Sequence, residues 1–329
     1  MSKKVIRWGI VATGGIAEKF AAACRFESAR TGNSELYAVA SRSMQKAAAF
    51  AQAWGIPHSH GSYKALFSDP AIDAVYIATP HNLHAELSIQ ALKAGKAVLC
   101  EKPVSIVAAD FYPVIETARK EGRFFMEAMW MKFNPAVNKA LSWVHEGILG
   151  PLTYLRSDFF LHAPYDSTSR LFDPALGGGA LLDVGIYPVT AAILFAGKKR
   201  PAHIDAFLDK DEAGVDRYNR MHFTFDSGLK ADLSSAITLH GIDQLRSLVV
   251  LGETGAAVLP LFWMAQQALL LSPTGETLET FDSPFPCNGY EYEIREVERC
   301  LAQGLLESPV QTWDDSIMVM EILDQIRQK

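Results

Sequence analysis

The chain has 329 residues, with 31 basic and 37 acidic side chains and a net charge of −6. That length carries a substantial core and suggests two domains. The mixed charge contains no basic tract, so no nucleic acid is expected as partner, and no stretch approaches the roughly 18 apolar residues of a membrane span, so no membrane is expected either.

The basic start, Ser2 to Arg7, has no long apolar run behind it and does not read as a secretion signal. Residues 5–11 predict a strand, followed at once by Ala12-Thr13-Gly14-Gly15-Ile16-Ala17, and residues 16–29 predict an alanine-rich helix. Strand, glycine turn and helix form the setting in which the dinucleotide fingerprint G-x-G-x-x-[GA] has meaning. Ala12 takes the first glycine place, Gly14 the second and Ala17 the third. Gly14 would let the backbone approach a pyrophosphate drawn to the helix N-terminus, and Ala17 would let helix and strand pack closely. Ala12, Thr13, Gly14, Gly15 and Ile16 are therefore assigned to cofactor binding; a tight turn without a ligand is the competing reading.

A second strand, 36–40, ends in Ser41-Arg42-Ser43. NAD sites usually place Asp or Glu here, accepting from the ribose 2′-hydroxyl. A hydroxyl beside a planar guanidinium fork instead suits a 2′-phosphate, so Ser41 and Arg42 point to NADP, with NAD as the alternative. Ser43 also fits as the cap of a helix over 44–54. The strand at 73–78 runs into Thr79-Pro80-His81-Asn82, of which Thr79, Pro80 and Asn82 are placed under the nicotinamide half of the cofactor. His81 and His84 read as surface or hydrogen-bonded structural residues, and the helix at 84–94 closes on Gly95.

Residues 97–100 are a short apolar run, the mark of a strand buried on both faces, and Glu101-Lys102-Pro103 follows. Ligands of open α/β sheets bind outside the carboxyl ends of the strands, so Glu101 and Lys102 are placed beside the cofactor. The bland alternative is a solvated charge pair closing a strand. A helix at 107–121 and a strand at 124–127 complete the alternation. It predicts a doubly wound parallel sheet, an α/β Rossmann domain over residues 1–126.

Over residues 127–329 the pattern changes. Asn134 and Pro135 start a helix that Gly147 ends. Strands are predicted at 152–160, 217–225, 229–239 and 245–251, with Asp226-Ser227-Gly228 as a hairpin turn. Strands without intervening helices predict a second, α+β domain built on a mostly antiparallel open sheet, the expected seat of substrate binding, whose open face would need cover such as a second copy. A final amphipathic helix at 313–328 could pack back on the first domain. Between the first two strands lies Gly177-Gly178-Gly179, whose glycines would admit a ligand and feed a helix running to about Ala196. Asp183 and Tyr187 are four apart on that apolar helix and would share one face. A buried Asp there needs a partner. A lysine such as Lys102 would supply one, and Lys102, Asp183 and Tyr187 together can hold an alcohol and move its proton. A structural Asp–Tyr pair is the alternative. Trp130, Phe160 and His162 are candidates for the substrate wall, with Phe133, Phe159 and Tyr165 beside them. Cys24, Cys100, Cys287 and Cys300 lack metal-type or redox-type spacing and read as reduced thiols of a cytoplasmic protein. The nine histidines show no ligand spacing, so no metal is expected.

These blocks, in this order, resemble the glucose–fructose oxidoreductase/inositol dehydrogenase (Gfo/Idh/MocA) family over essentially the whole chain. Many members have His four residues after the aspartate, where this chain has Tyr187. With Met126-Glu127-Ala128-Met129-Trp130 and the 181–187 block, the chain looks most like the branch of dimeric trans-dihydrodiol dehydrogenases and NADP-dependent D-xylose 1-dehydrogenases. That branch often has Arg where this chain has Lys132, which would weaken a bidentate contact. The resemblance implies that Lys102 binds the reacting oxygen, that Tyr187 donates and accepts the proton, and that Asp183 orients the substrate and Lys102. Free tyrosine titrates near 10, so an ammonium would have to favour its phenolate. It also implies a cis peptide before Pro103 and a homodimer formed through the open C-terminal sheet. The expected function is hydride transfer between NADP and a CH–OH or carbonyl group of a sugar, polyol or trans-dihydrodiol. The alternatives are a sugar-ketone or aldehyde reductase of the same family and, in another class, a non-catalytic NADP-binding sensor or scaffold.

Overall fold

The computed structural model describes residues 5–241, 243 and 246–329. Two compact units divide the chain: residues 1–130 with 286–317, and residues 131–285 with 318–329.

The first unit is an α/β layer structure. Its strands are β1 (Ile6–Val11), β2 (Ser34–Ala40), β3 (His58–His60), β4 (Ala74–Ile77), β5 (Ala97–Glu101) and β6 (Phe125–Ala128), all parallel in the order β3-β2-β1-β4-β5-β6. This is the doubly wound arrangement that the alternating pattern predicts, with its switch point between β1 and β4. The helices are α1 (Gly15–Thr31), α2 (Met44–Trp54), α3 (Tyr63–Phe67), α4 (His84–Lys93), α5 (Ala108–Glu121) and, from the C-terminal segment, α8 (Glu291–Ala302). Trp8, Ile10, Phe20, Tyr76, Ile77 and Phe125 are fully buried. Phe20 stacks on Tyr76 at 3.9 Å and meets Trp8 edge-on, so the strands and α1 close on one aromatic cluster. Buried Glu27 of α1 takes hydrogen bonds from Arg30 and from Arg295 of α8. Burial alone would raise its titration point, but the two guanidiniums hold it below the ordinary glutamate value.

The second unit is built on eight strands: β7 (Leu152–Phe160), β8 (His203–Lys210), β9 (Asp216–Thr224), β10 (Lys230–Ala236), β11 (Ser247–Gly252), β12 (Ala256–Pro260), β13 (Gln267–Leu271) and β14 (Thr277–Asp282). Their order is β14-β13-β12-β11-β7-β10-β9-β8. Every pair is antiparallel except the central β7–β10, which is parallel. Residues 226–228 turn β9 into β10 as expected, with Gly228 at φ 89° and Phe225 paired to Leu229. The strand predicted at 245–251 begins at Ser247, and Leu245 lies outside the described residues. α6 (Pro135–His145), capped by Asn134, lies against β12–β14, and α7 (Ile186–Phe195) against β7, β10 and β11. α9 (Trp313–Arg327) starts in the first unit, where the Trp313 indole donates to the Phe125 carbonyl of β6.

One sequence expectation is corrected. Pro174–Phe195, 22 residues, is long and apolar enough to pass for a membrane span. Of its most apolar window 89 % is buried inside the structure, which is how a core helix satisfies the same composition.

Candidate active site

The carboxyl edge of the six-stranded sheet gathers the residues assigned to a cofactor. After β1, Ala12 takes φ 98°, a left-handed conformation that glycine adopts freely and alanine does not. Gly14 is the N-cap of α1, whose first N–H groups receive no side-chain cap. A Cβ on Gly14 or Gly15 would meet nothing within 4 Å, and Ile16 beside them is exposed. At the end of β2, buried Ser41 accepts from the Ser43 amide at 3.3 Å, and Ser43 caps α2 through the Lys46 amide. Arg42 is exposed, and its guanidinium lies close enough to the Tyr63 hydroxyl to act on its titration. Burial of that phenol raises its titration point, against the pull of the guanidinium. After β4, the Thr79 hydroxyl is buried with no hydrogen-bond partner among the described residues, while Pro80 is half-buried and Asn82 exposed. An uncapped helix terminus, open space at two glycines and an orphaned hydroxyl together fit a dinucleotide at this edge.

Glu101 is the last residue of β5 and is buried, not a solvated end of a charge pair. Its carboxylate accepts from the Tyr76 hydroxyl and, at 3.3 Å, from the Lys102 amide. Burial first, then the Glu101 charge, push Tyr76 well above the ordinary phenol value, so its proton stays in that bond. Lys102, half-buried, stands just past the strand, and the Lys102–Pro103 peptide is cis. Fully buried His84 sets its two ring nitrogens 2.6 Å from the Thr79 carbonyl oxygen and 2.7 Å from that of Pro103. It ties the loop after β4 to the loop that carries Lys102. Trp130 is buried on Tyr290 at 5.0 Å.

In the second unit Asp183 and Tyr187 are both buried. Asp183 lies in a π-helical turn, Leu181–Gly185, and Tyr187 in the first turn of α7. The regular helix expected across both residues is therefore interrupted, and the i, i+4 phase of an α-helix does not carry from one to the other. Such π-turns recur at functional sites. Arg170, which the sequence reading did not single out, donates through Nη1 to Asp183 Oδ1 at 2.9 Å. The triple glycine serves a different purpose from the one expected. A Cβ on Gly178 would sit 2.8 Å from the carbonyl oxygens of Arg170, Leu171 and Asp173. A Cβ on Gly179 would sit 2.2 Å from Asp216 Oδ1, at a backbone φ of 119°. Gly178 and Gly179 admit a close approach of their own chain. Asp216 accepts from the Leu181 amide at 2.8 Å and from Asn219 at 2.9 Å, and burial raises it to about 6. Phe159, not Phe160, faces Tyr187, at 5.6 Å, and stacks on Trp263. Phe160 is half-buried, exposed His162 stacks on His240 at 3.7 Å, and Lys132 is buried.

Comparison with known proteins follows the same division. The oxidoreductase family with an NAD-binding Rossmann fold matches residues 6–129, and the GFO/IDH/MocA C-terminal domain matches residues 137–258. The chain belongs to the GFO/IDH/MocA family and is an NAD(P)-dependent oxidoreductase. Among curated relatives it is 34 % identical to the trans-1,2-dihydrobenzene-1,2-diol dehydrogenases of Macaca fuscata fuscata and Homo sapiens, over 98 % of this chain and 96 % of each of theirs. Among solved structures it is similar to the aldose-aldose oxidoreductase of Caulobacter crescentus complexed with glycerol, at TM-score 0.88 and 25 % identity over 99 % of this chain and 97 % of that one. It is also similar to KijD10, a 3-ketoreductase from Actinomadura kijaniata solved with NADP, at TM-score 0.84 and 25 % identity over 99 % of this chain and 98 % of that one.

Proposed function

We propose that the protein is an NADP-linked dehydrogenase that moves a hydride between the nicotinamide and a CH–OH or carbonyl carbon of a sugar, polyol or trans-dihydrodiol. The observation that carries this reading is Lys102, set just past β5 at the carboxyl edge of a Rossmann sheet, the same edge that carries the orphaned Thr79 hydroxyl after β4 and the uncapped end of α1 after β1. The substrate classes rest on what the relatives are named for, a trans-diol and aldoses. The cofactor, when bound, accepts or supplies the hydride. Lys102 then holds the reacting oxygen with its ammonium. Tyr187, as phenolate, takes the hydroxyl proton in the oxidising direction and returns it in the reducing one. Asp183, as a carboxylate, orients the substrate by accepting charge-assisted hydrogen bonds from its hydroxyl groups. Trp130 and Phe159 supply apolar walls.

The choice of NADP is supported by the end of β2, which presents the Ser41 hydroxyl and the Arg42 guanidinium where an NAD site has a carboxylate. Two further parts of the reading are a cytoplasmic location, supported by four free cysteines, and a homodimer through the open face of the eight-stranded sheet. That face carries Arg156 and Arg220 among Asp158, Asp205 and Asp232, together with Phe207 at 56 % exposure. Mixed signs around an exposed aromatic suit pairing with a second copy about a two-fold axis.

Titration with NADPH and with NADH, followed by reduced-nicotinamide fluorescence, tests the cofactor. Binding of NADPH at least tenfold tighter is expected; a preference for NADH would remove the phosphate assignment. A screen of aldoses, polyols and trans-diols with NADP, with Lys102→Ala as control, tests the chemistry. Turnover that Lys102→Ala lowers by about 10²–10⁴ is expected, and turnover untouched by that change would remove Lys102 from the reaction.

A further inference from the structure

Arg170 lies outside every motif considered so far, yet much of the local architecture serves to seat it. Residues Arg170–Phe172 form one short 3-10 turn capped by Ser169, and Pro174–Leu176 form a second capped by Asp173. The two turns fold back on the glycine block, with the Gly178 amide donating to the Asp173 carbonyl at 2.9 Å and the Gly179 amide to that of Leu171 at 3.0 Å. A side chain at Gly178 would force the backbone to shift, because its Cβ would stand 2.8 Å from the carbonyl oxygen of Arg170 itself. On the far side of the block, Asp216 holds the Leu181 amide and so fixes the start of the turn that presents Asp183. Both ends of the Arg170–Asp183 contact are thus anchored independently of the contact itself. The Asp183 side chain is 8 % exposed, whereas that of Arg170 is 43 % exposed. Among the described residues Asp183 is the side chain that the guanidinium pairs with.

We infer that Arg170 is a positioning residue for Asp183. A buried carboxylate needs an opposite charge to remain ionised and hydrogen bonds to remain in one rotamer. Arginine meets both needs, since its planar fork keeps its charge at any working pH. By holding Oδ1, Arg170 aims the carboxylate while keeping its own outer edge in contact with water. The inference rests on the proposed place of Asp183 in the reaction, but the contact can be tested apart from that reading.

Arg170→Ala is expected to lower kcat about ten- to hundredfold, the cost of a misplaced catalytic group, while KM and NADPH affinity change less than about threefold. Because the guanidinium is accessible, added guanidinium ion at tens of millimolar should restore part of kcat, whereas equal sodium chloride or urea should not. Arg170→Lys should fall between the variant and the parent. A loss that guanidinium does not rescue, a change in KM alone, or no change would each overturn the assignment. A crystal structure of Arg170→Ala supplies a readout independent of turnover: the Asp183 carboxylate should leave its present rotamer, and an unmoved carboxylate overturns the inference. If the parent enzyme turns over no sugar, polyol or diol, the proposed function falls, and the structural arm still decides whether Arg170 aims Asp183.

Discussion

The two glycine blocks look alike as sequence and do opposite things. Around Gly14 and Gly15 the protein leaves open space above an uncapped helix end. Around Gly178 and Gly179 it leaves none, since backbone carbonyls and the Asp216 carboxylate already occupy the places where side chains would be. Missing side chains admit a ligand in the first unit and the protein's own loop in the second. A glycine motif therefore marks a close approach without saying what approaches, and only the folded surroundings separate the two cases.

Substitution at one glycine of each block gives the sharpest test of that difference. Gly179→Ala should cost about 4 kcal/mol of stability, from backbone strain at φ 119° together with displacement of Asp216 from the Leu181 amide. Gly14→Ala, at φ −85° with nothing near the new Cβ, should leave the melting temperature nearly unchanged and instead weaken NADPH binding by about tenfold or more. Thermal melts and fluorescence titrations on both variants separate the two roles. Equal stability losses would erase the distinction.

What could be seen in advance follows the same physics. β1, β4, β5 and β6 are short apolar runs bounded by turn residues, because a parallel sheet buries both faces, so these four strands were legible in the sequence. β3, the three polar residues His58–His60 at the sheet edge, gives no such signal, and neither do the edge strands β8 and β14, which are half solvated. α8 was missed because its buried face includes Glu291, Glu293, Glu296 and Glu298, a composition that reads as a solvated helix. Three of these are held by local donors: Glu291 takes the amides of Cys287, Asn288 and Gly289, Glu296 pairs with Arg299, and Glu298 accepts from Ser34. Glu293 has no hydrogen-bond partner among the described residues, and burial, then Glu101, push it well above the ordinary glutamate value. Of the candidate site, Lys102, Asp183 and Tyr187 could be picked out by residue type and position. Arg170 could not, because a single arginine in a loop has no periodicity, and its partner lies 13 residues away through a fold-back that no spacing rule describes.

Asp216 sharpens the comparison at the second block through pH. Its folded titration point, raised by burial to about 6, exceeds the unfolded value near 3.9, so the folded state holds this proton more tightly. The contribution is fully favourable below pH 4 and is lost as pH rises through 6, by an amount on the order of 3 kcal/mol. Asp216→Asn can keep both accepted hydrogen bonds on its amide oxygen without the buried charge. Urea unfolding at pH 4.5 and pH 7.5 should show a smaller fall in stability across that interval for the variant than for the parent. An unchanged slope would mean that Asp216 does not titrate there.

The smallest expected effect lies in the first block, at the residue that departs from the glycine pattern. Ala12 holds φ 98°, where an L side chain costs about 1–2 kcal/mol relative to the right-handed regions. Glycine would remove that strain, yet it also enlarges the unfolded ensemble, at a cost of about 0.4–1 kcal/mol. The balance favours Ala12→Gly by about 0.5–1 kcal/mol, measurable as a small shift in the urea midpoint at unchanged slope. NADPH affinity should stay within about twofold, because the Ala12 amide remains bonded to the Ala40 carbonyl at 3.0 Å and the turn keeps its path. A destabilised variant would show that the methyl group packs well enough to outweigh its backbone strain, and would place Ala12 with the packed glycines of the second unit instead of the open ones beside it.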